Sequence, residues 1–141
     1  MRPRSFVLNH LLKGKIMIAL NTYWLRIAVV YFVVAVILGV VMGASGDHTL
    51  FPVHAHLNLL GWVSAAIIGL LYHQYPQMAA NKLAQIQFWL YNITLPVLMI
   101  TLASLLKGNF AIEPVVGICS VVLGIAVVLF AINVLINLPK K

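Results

Sequence analysis

Residues 24–43 read WLRIAVVYFVVAVILGVVMG, a run in which Arg26 is the only charged side chain. A transmembrane α-helix needs about 20 predominantly apolar residues, because the hydrocarbon core of a bilayer is about 30 Å thick. Strands are excluded, since the edge of an open sheet leaves backbone N–H and C=O groups unpaired in hydrocarbon. This run therefore predicts a transmembrane helix and indicates an integral membrane protein.

The composition of the whole chain agrees with that class. Of its 141 residues, 63% are hydrophobic and only 8% are charged, whereas globular chains are about 25% charged. So few charged side chains exclude a soluble globular domain, a coiled coil and a disordered tail. Cys119 is the only cysteine, which excludes a disulfide-rich secreted scaffold. The net charge of +7 lies at the edges of the apolar runs, so we predict no nucleic-acid partner.

Three further apolar runs extend this pattern to four predicted spans. The spans cover residues 24–43, 53–72, 87–106 and 114–136. Short connections between successive helices favour an antiparallel up-and-down arrangement. We therefore predict an all-α integral membrane protein, an antiparallel bundle of four transmembrane helices that forms one membrane domain over residues 24–141.

The basic residues predict how the bundle is oriented. One side carries Arg2, Arg4, Lys13, Lys15, Arg26, Lys82, Lys140 and Lys141, whereas the other carries Lys107 alone. Because cytoplasmic loops are enriched in Lys and Arg, both termini are expected in the cytoplasm. The two acidic residues, Asp47 and Glu113, then fall in the outer loops. The lipid bilayer is the first expected partner.

Residues 1–23 form a basic segment before the first span. Apolar side chains recur in it at helical spacing, at Leu8, Leu11, Leu12 and Ile16. That pattern beside Lys13 and Lys15 favours a helix lying on the membrane surface. The alternatives are a poorly ordered leader, or a native start at Met17 with residues 1–16 outside the native chain. A cleaved signal peptide is less favoured, because the segment is longer than a usual n-region.

Two histidines distinguish the second predicted span. Residues 47–62 read DHTLFPVHAHLNLLGW and place His54 and His56 near one end of it. Ionisable residues inside a span indicate function, because burying them unpaired is expensive. Positions i and i+2 of a helix lie about 200° apart, so the two imidazoles are expected to serve two centres, or one of them a partner subunit. If Pro52 unwinds the first turn, His48, His54 and His56 could instead share one metal, and imidazole suits iron, copper and zinc alike.

The helix faces below the two histidines differ. Small residues follow His54 at helical spacing after Asn58, namely Gly61, Ala65 and Gly69, and the first span carries a similar ridge of Ala35, Gly39 and Gly43. Either these two ridges pack against each other, or the smooth surface lies against a flat macrocycle. Below His56 follow Leu60, Val63, Ile67 and Leu70. This apolar wall suits lipid, a neighbouring protomer or the edge of a porphyrin.

The histidine helix also resembles a known family. Residues 54–62, HAHLNLLGW, and the sequence that continues to Pro76 are similar to the His-x-His helix of subunit I of heme-copper oxidases, above all the C-family oxidases and bacterial nitric oxide reductases. The resemblance implies that the first histidine ligates a high-spin heme and the second a low-spin heme. It also implies a bacterial inner membrane, with a respiratory complex or oxidase as a partner.

The resemblance covers only residues 54–76. Subunit I of that family has many more spans, takes its other low-spin ligand from a different span and binds copper through further histidines. The predicted spans contain none of these, so a complete oxidase or nitric oxide reductase site is absent, and enzyme activity stays open. Met42 or Met99 could complete a His/Met pair, His48 could fold back, or a twofold homo-oligomer could supply the same histidine twice.

We therefore expect a protein that binds heme b near the outer surface and serves electron transfer, heme handling or binding of a diatomic gas. The sequence lacks CxxCH, so the heme would be non-covalent. The expected cofactor-binding residues are His54, His56, Asn58, Gly61, Trp62, Ala65, Met42 and Met99. The alternatives are a copper or zinc site built from His48, His54 and His56, and a cofactor-free assembly subunit of a respiratory complex.

Overall fold

The computed structural model describes the backbone of residues 4–138 and the side chains of residues 20–138. Every regular element in that range is helical. Four stretches are long and apolar enough to cross a membrane, namely Leu20–Ser45, Phe51–Gln74, Lys82–Leu106 and Phe110–Asn137. The prediction of an all-α chain with four such helices is confirmed. The predicted surface helix rests on side chains before residue 20, which lie outside the described ones.

The elements follow one another with short breaks. In chain order they are α1 (Arg4–Ser45), α2 (Phe51–His56), a π-helix (Leu57–Ser64), α3 (Ala65–Gln74), α4 (Pro76–Ala79), α5 (Lys82–Leu106), a 3₁₀ turn (Phe110–Ile112) and α6 (Glu113–Asn137). α2, the π-helix and α3 join end to end, and we call this continuous helix the second span.

Helix ends explain why the spans exceed the apolar runs. α5 begins at Lys82, five positions before the predicted start at residue 87, because Asn81 caps it. The Oδ1 atom of Asn81 accepts a hydrogen bond of 2.9 Å from the backbone N–H of Ala84, as N-cap residues do. At the other end of the bundle, Gly46 after α1 and Gly108 after α5 have φ of 70° and 96°. Glycine adopts these values without strain, which ends both helices sharply.

The second span runs antiparallel to α1. Ala35 of α1 lies beside His54 near the start of the second span, whereas Asn21 lies beside His73 near its end. Residue numbers on α1 therefore fall as the numbers of their contacts on the second span rise, which is the antiparallel arrangement. The short connections place residues 46–50 and 107–109 at one end of the bundle, which we call the acidic end because it carries Asp47. The opposite end, with Lys82, is called the basic end.

Aromatic side chains hold the helices together in the interior. Trp24 of α1 packs edge-on against Phe88 and Tyr91 of α5, with ring centroids 5.4 and 5.2 Å apart. Tyr72 of the second span packs against Phe130 of α6 at 6.1 Å. Such edge-to-face pairs contribute about 0.5–1.5 kcal/mol each beyond the area that they bury. The packed core thus includes residues from all four spans.

Candidate functional site around His54 and His56

The imidazole of His54 is fastened to α1. Its Nδ1 lies 2.9 Å from the carbonyl oxygen of Ala35, and because a carbonyl only accepts, Nδ1 carries the proton and donates. The ring lies against Gly39, where an added Cβ would come within 2.7 Å of the imidazole Cε1. The close approach therefore requires glycine at position 39, and the hydrogen bond ties the second span to α1.

Asn58 closes the other side of the same imidazole. Its Nδ2 donates a hydrogen bond of 3.0 Å to the carbonyl oxygen of His54 and lies 3.4 Å from the His54 Nε2. Both ring nitrogens of His54 thus have protein neighbours. A metal could reach Nε2 only after the Asn58 side chain had moved away, so His54 is placed for helix packing.

The imidazole of His56 has a different setting. The residue is exposed, and its Nδ1 donates to the carbonyl oxygen of Pro52 at 2.7 Å. A backbone hydrogen bond of this kind fixes the tautomer and leaves the lone pair on Nε2, as is usual for metal-binding histidines. The two imidazoles point to different sides of the helix, as their spacing predicts, and His56 is the one with Nε2 available.

The helix face below His56 is apolar and exposed. Val63, Ile67 and Leu70 have exposed fractions of 41%, 50% and 56%. About one turn below His56 a cleft of about 240 Å³ opens between the second span and α6, lined mainly by Leu60, Ser64, Ile67, Val127 and Phe130. Pockets that enclose a small ligand usually measure about 300–1,000 Å³. The cleft is therefore large enough to receive the edge of a ligand and too small to enclose one.

The small-residue ridge of the second span serves helix packing. A Cβ at Gly61 would come within 2.7 Å of the Tyr31 ring, and a Cβ at Gly69 within 3.0 Å of Trp24 and Leu25. α1 therefore covers the ridge, which leaves no room there for a flat macrocycle. The predicted packing of the two ridges against each other is wrong, since Gly39 of the first ridge receives the His54 ring instead. Gly43, at the end of that ridge, is exposed, and a Cβ there would meet no atom within 4 Å.

The other expected cofactor-binding residues lie apart from one another, in helix contacts and in the hydrophobic core. Trp62 packs on Phe32 of α1 with ring centroids 4.9 Å apart. Ala65 has no exposed surface, and Met42 and Met99 are 6% and 4% exposed. Met99 belongs to the hydrophobic core. The burial of Ala65, Met42 and Met99 and the ring contact of Trp62 account for these residues as packing groups.

His48 and Asp47 occupy the loop at the acidic end. The Nδ1 of His48 bonds to the carbonyl oxygen of Gly46 at 3.1 Å. Asp47 accepts hydrogen bonds from the backbone N–H and the hydroxyl of Thr49, at 2.9 and 2.6 Å. These bonds hold the pKa of the Asp47 carboxyl below its usual range. The carboxylate is thus engaged in its own turn.

The expected copper or zinc cluster is not assembled in the described part of the chain. Among residues 20–138, no group of three or more His, Cys, Asp or Glu side chains lies close enough to hold a metal ion. His54 faces α1, His56 faces outward and His48 lies in the loop. A metal that used all three would require this end of the helix to rearrange.

The π-helix at Leu57–Ser64 was not foreseen from the sequence. Buried positions recur every four residues through it, at Val53, Leu57, Gly61, Ala65 and Gly69. In an unbroken α-helix that spacing would rotate the buried face by ~160° over the sixteen steps from Val53 to Gly69. The wider turns of a π-helix, with i→i+5 hydrogen bonds, remove much of this drift and keep the face toward α1. The four-residue period was the available sequence signal.

A buried cluster of polar side chains toward the basic end is likewise not predicted by the sequence. The Tyr72 hydroxyl donates to Oε1 of Gln87 at 2.9 Å and accepts from Nδ2 of Asn133 at 3.1 Å. Oδ1 of Asn133 in turn accepts from Asn81 at 2.7 Å. Tyr72, Gln87 and Asn133 have no exposed surface. Because these residues lie on three different spans, the cluster fixes how those spans meet.

No protein-family model, curated protein or solved structure matches this chain. The comparisons therefore add no family and no relative from which a role for His54 or His56 could be transferred. A link to the heme-copper oxidase family rests on the sequence resemblance of residues 54–76 alone.

Proposed function

We propose that this chain is a multi-pass protein of the bacterial inner membrane, with both termini in the cytoplasm. The four long apolar helices support membrane insertion. The excess of Lys and Arg on the side of the termini supports the orientation. In this orientation the acidic end, with His54 and His56, faces the outside.

We further propose that the protein binds heme b through the Nε2 atom of His56. The observation that supports this most is the hydrogen bond from the His56 Nδ1 to Pro52, which prepares an exposed imidazole for ligation. The exposed apolar wall of Val63, Ile67 and Leu70 supplies a face on which a porphyrin edge would be shielded from water.

One chain supplies one histidine that is available as an axial ligand, namely His56. His54 is engaged by Ala35 and Asn58, and Met99 is enclosed in the core. We propose that His56 of a second copy supplies the other ligand in a twofold homodimer. A twofold interface pairs a surface with itself, and copies inserted with the same topology hold His56 at the same depth. The small cleft agrees with a ligand that one chain covers only in part.

The two histidines have different proposed roles, so only one of the two ligand roles that the resemblance implies is kept. The proposal keeps the ligand role for the second histidine, His56, and gives the first, His54, a packing role instead. A heme bound in this way would supply a one-electron redox couple for electron transfer. The residues of the chain itself hold the His56 tautomer through Pro52 and engage the His54 Nε2 through Asn58. The apolar wall would shield a bound heme from water.

A cofactor-free role as an assembly subunit of a respiratory complex is the second candidate. The observation that favours it is that His54 and the small-residue ridge of the second span are engaged in helix packing. In that case His56 and the wall below it would contact another protein or lipid. Both candidates predict a membrane-embedded bundle, and they differ in whether porphyrin is present.

The visible spectrum of the purified protein separates the two candidates. Cells should be supplied with a heme precursor, and the protein extracted in mild detergent and measured reduced minus oxidised, with and without carbon monoxide. We expect a Soret band with sharp α and β bands that carbon monoxide does not move, because two imidazoles fill both axial positions. A band shifted by carbon monoxide would contradict paired ligation. The lack of any Soret band would contradict heme binding and favour the assembly subunit.

A further inference from the structure

A groove lies at the basic end of the bundle, remote from His56 and from the cleft below it. It has a volume of about 630 Å³ and lies between α1 and His73, in the last turn of the second span. The residues that line it on the α1 side are Asn21, Thr22, Leu25, Arg26, Val29 and Val30. Polar groups cluster at one end of it and apolar side chains continue along α1. One end of the groove is thus polar and positively charged, and the rest of it is apolar.

Within the described part of the chain, no carboxylate side chain lies near the charge in this groove. Arg26 is exposed, and the chain contains only two acidic residues, Asp47 and Glu113. Asp47 lies beyond the far end of α1, ~28 Å away along nineteen residues of helix up to Ser45. Glu113 begins α6 at the same acidic end. Neither carboxylate side chain of the chain therefore reaches the Arg26 guanidinium, which is exposed to an external anion.

His73 adds a second donor beside Arg26. The Nδ2 amide of Asn21 lies 3.3 Å from the His73 Nδ1, and the Asn21 Oδ1 accepts from the backbone N–H of Thr22 at 2.8 Å. The amide N–H therefore donates to the histidine, so Nδ1 is the acceptor and Nε2 carries the hydrogen. The exposed His73 ring presents an N–H to the groove, which suits an oxygen of a phosphate.

The apolar part of the groove indicates what is attached to the anion. Val29 and Val30, about one turn beyond Arg26, are 52% and 61% exposed. A soluble anion would gain nothing from these side chains, whereas an acyl chain could lie along them. Basic grooves between transmembrane helices at the cytoplasmic side are recognised sites for anionic lipid headgroups.

We propose that this groove binds an anionic phospholipid of the inner leaflet, with its phosphate on Arg26 and His73 and an acyl chain along Val29 and Val30. The proposal rests on the four helices crossing a membrane with the basic end at its cytoplasmic face. It does not depend on heme. Bound lipid would stabilise the junction between α1 and the second span, where the Asn21–His73 hydrogen bond lies.

The test is lipid binding to the full-length protein in neutral detergent, followed by native mass spectrometry during titration with phosphatidylglycerol or phosphatidylcholine. We expect phosphatidylglycerol to bind more tightly. Arg26→Gln should weaken it about fivefold, in line with the contribution of one basic residue near an anionic surface. His73→Gln should weaken it by a smaller factor. The matched control is Lys82→Gln, which removes a positive charge at the same end outside the groove and should change binding less than about twofold.

Several outcomes would overturn the proposal. Equal binding of the two lipids would show that the anion is not recognised. Equal losses in Arg26→Gln and Lys82→Gln would show that only general surface charge matters. Displacement of the lipid by inorganic phosphate at similar concentration would assign the groove to a free anion. Circular dichroism of each variant should show unchanged helix content, and preparations without heme should give the same lipid result, which separates this test from that of heme binding.

Discussion

The substitution His56→Ala is expected to lower the heme content of the purified protein by at least about tenfold. Changes to groups that only orient a metal ligand already cost about 10- to 100-fold in affinity, and this change removes the ligand itself. His56 is exposed and its imidazole bonds to Pro52 within its own turn, so the alanine variant should still fold. Heme per chain, measured as pyridine hemochrome against protein concentration, gives the result.

His48→Ala is the matched control for this substitution. His48 is also an exposed histidine at the acidic end whose Nδ1 bonds to a nearby backbone carbonyl, but it lies in the loop and off the apolar wall. We expect it to keep its full heme content. Equal loss of heme in both variants would contradict a specific role for His56. Loss of a bound copper or zinc ion in both, without porphyrin, would favour the alternative metal site.

The substitution Gly61→Ala is expected to destabilise the bundle by about 1–3 kcal/mol, the usual cost of overpacking a close contact. The added Cβ would lie 2.7 Å from Cγ and 2.8 Å from Cβ of Tyr31. The Tyr31 Cβ is fixed to the backbone of α1, so the two helices would have to separate. The measurement is the free energy of unfolding in a mixed-micelle titration with a denaturing detergent.

Gly124→Ala is the control for that measurement. Gly124 also lies inside a span, but a Cβ there meets no atom within 4 Å. Its free energy of unfolding should stay unchanged or rise by up to about 1 kcal/mol, because alanine is favoured over glycine inside a helix. If Gly61→Ala unfolded like the control, the contact of the ridge with Tyr31 would be wrong, and the alternative of a macrocycle lying on the ridge would regain support.

The four helices could be predicted from the sequence because the signal is local. A run such as residues 24–43 needs only its own composition to exclude a soluble fold. The exact bounds depended on finer signals, as the cap at Asn81 shows, since it starts α5 among polar residues that hydropathy alone would leave in a loop. The opposed directions of His54 and His56 followed from helical spacing as well.

What could not be predicted depends on contacts between distant parts of the chain. Helical spacing predicts that the two histidine side chains point in different directions. Which of them packs against α1 depends on the position of Gly39 opposite His54. The polar cluster of Tyr72, Gln87 and Asn133 joins residues up to 61 positions apart, and none of them belongs to a recognisable motif. The π-helix combines both kinds of information, because its four-residue period is local but its cause is contact with α1.

Native mass spectrometry of the detergent-solubilised protein, prepared with heme available, tests the shared heme site most directly. The mass of the intact assembly counts chains and heme together. We expect two chains with one heme, and monomers without heme in the His56→Ala variant. One heme on a single chain would contradict ligation by two copies of His56, and assemblies without any heme would contradict the proposed function itself.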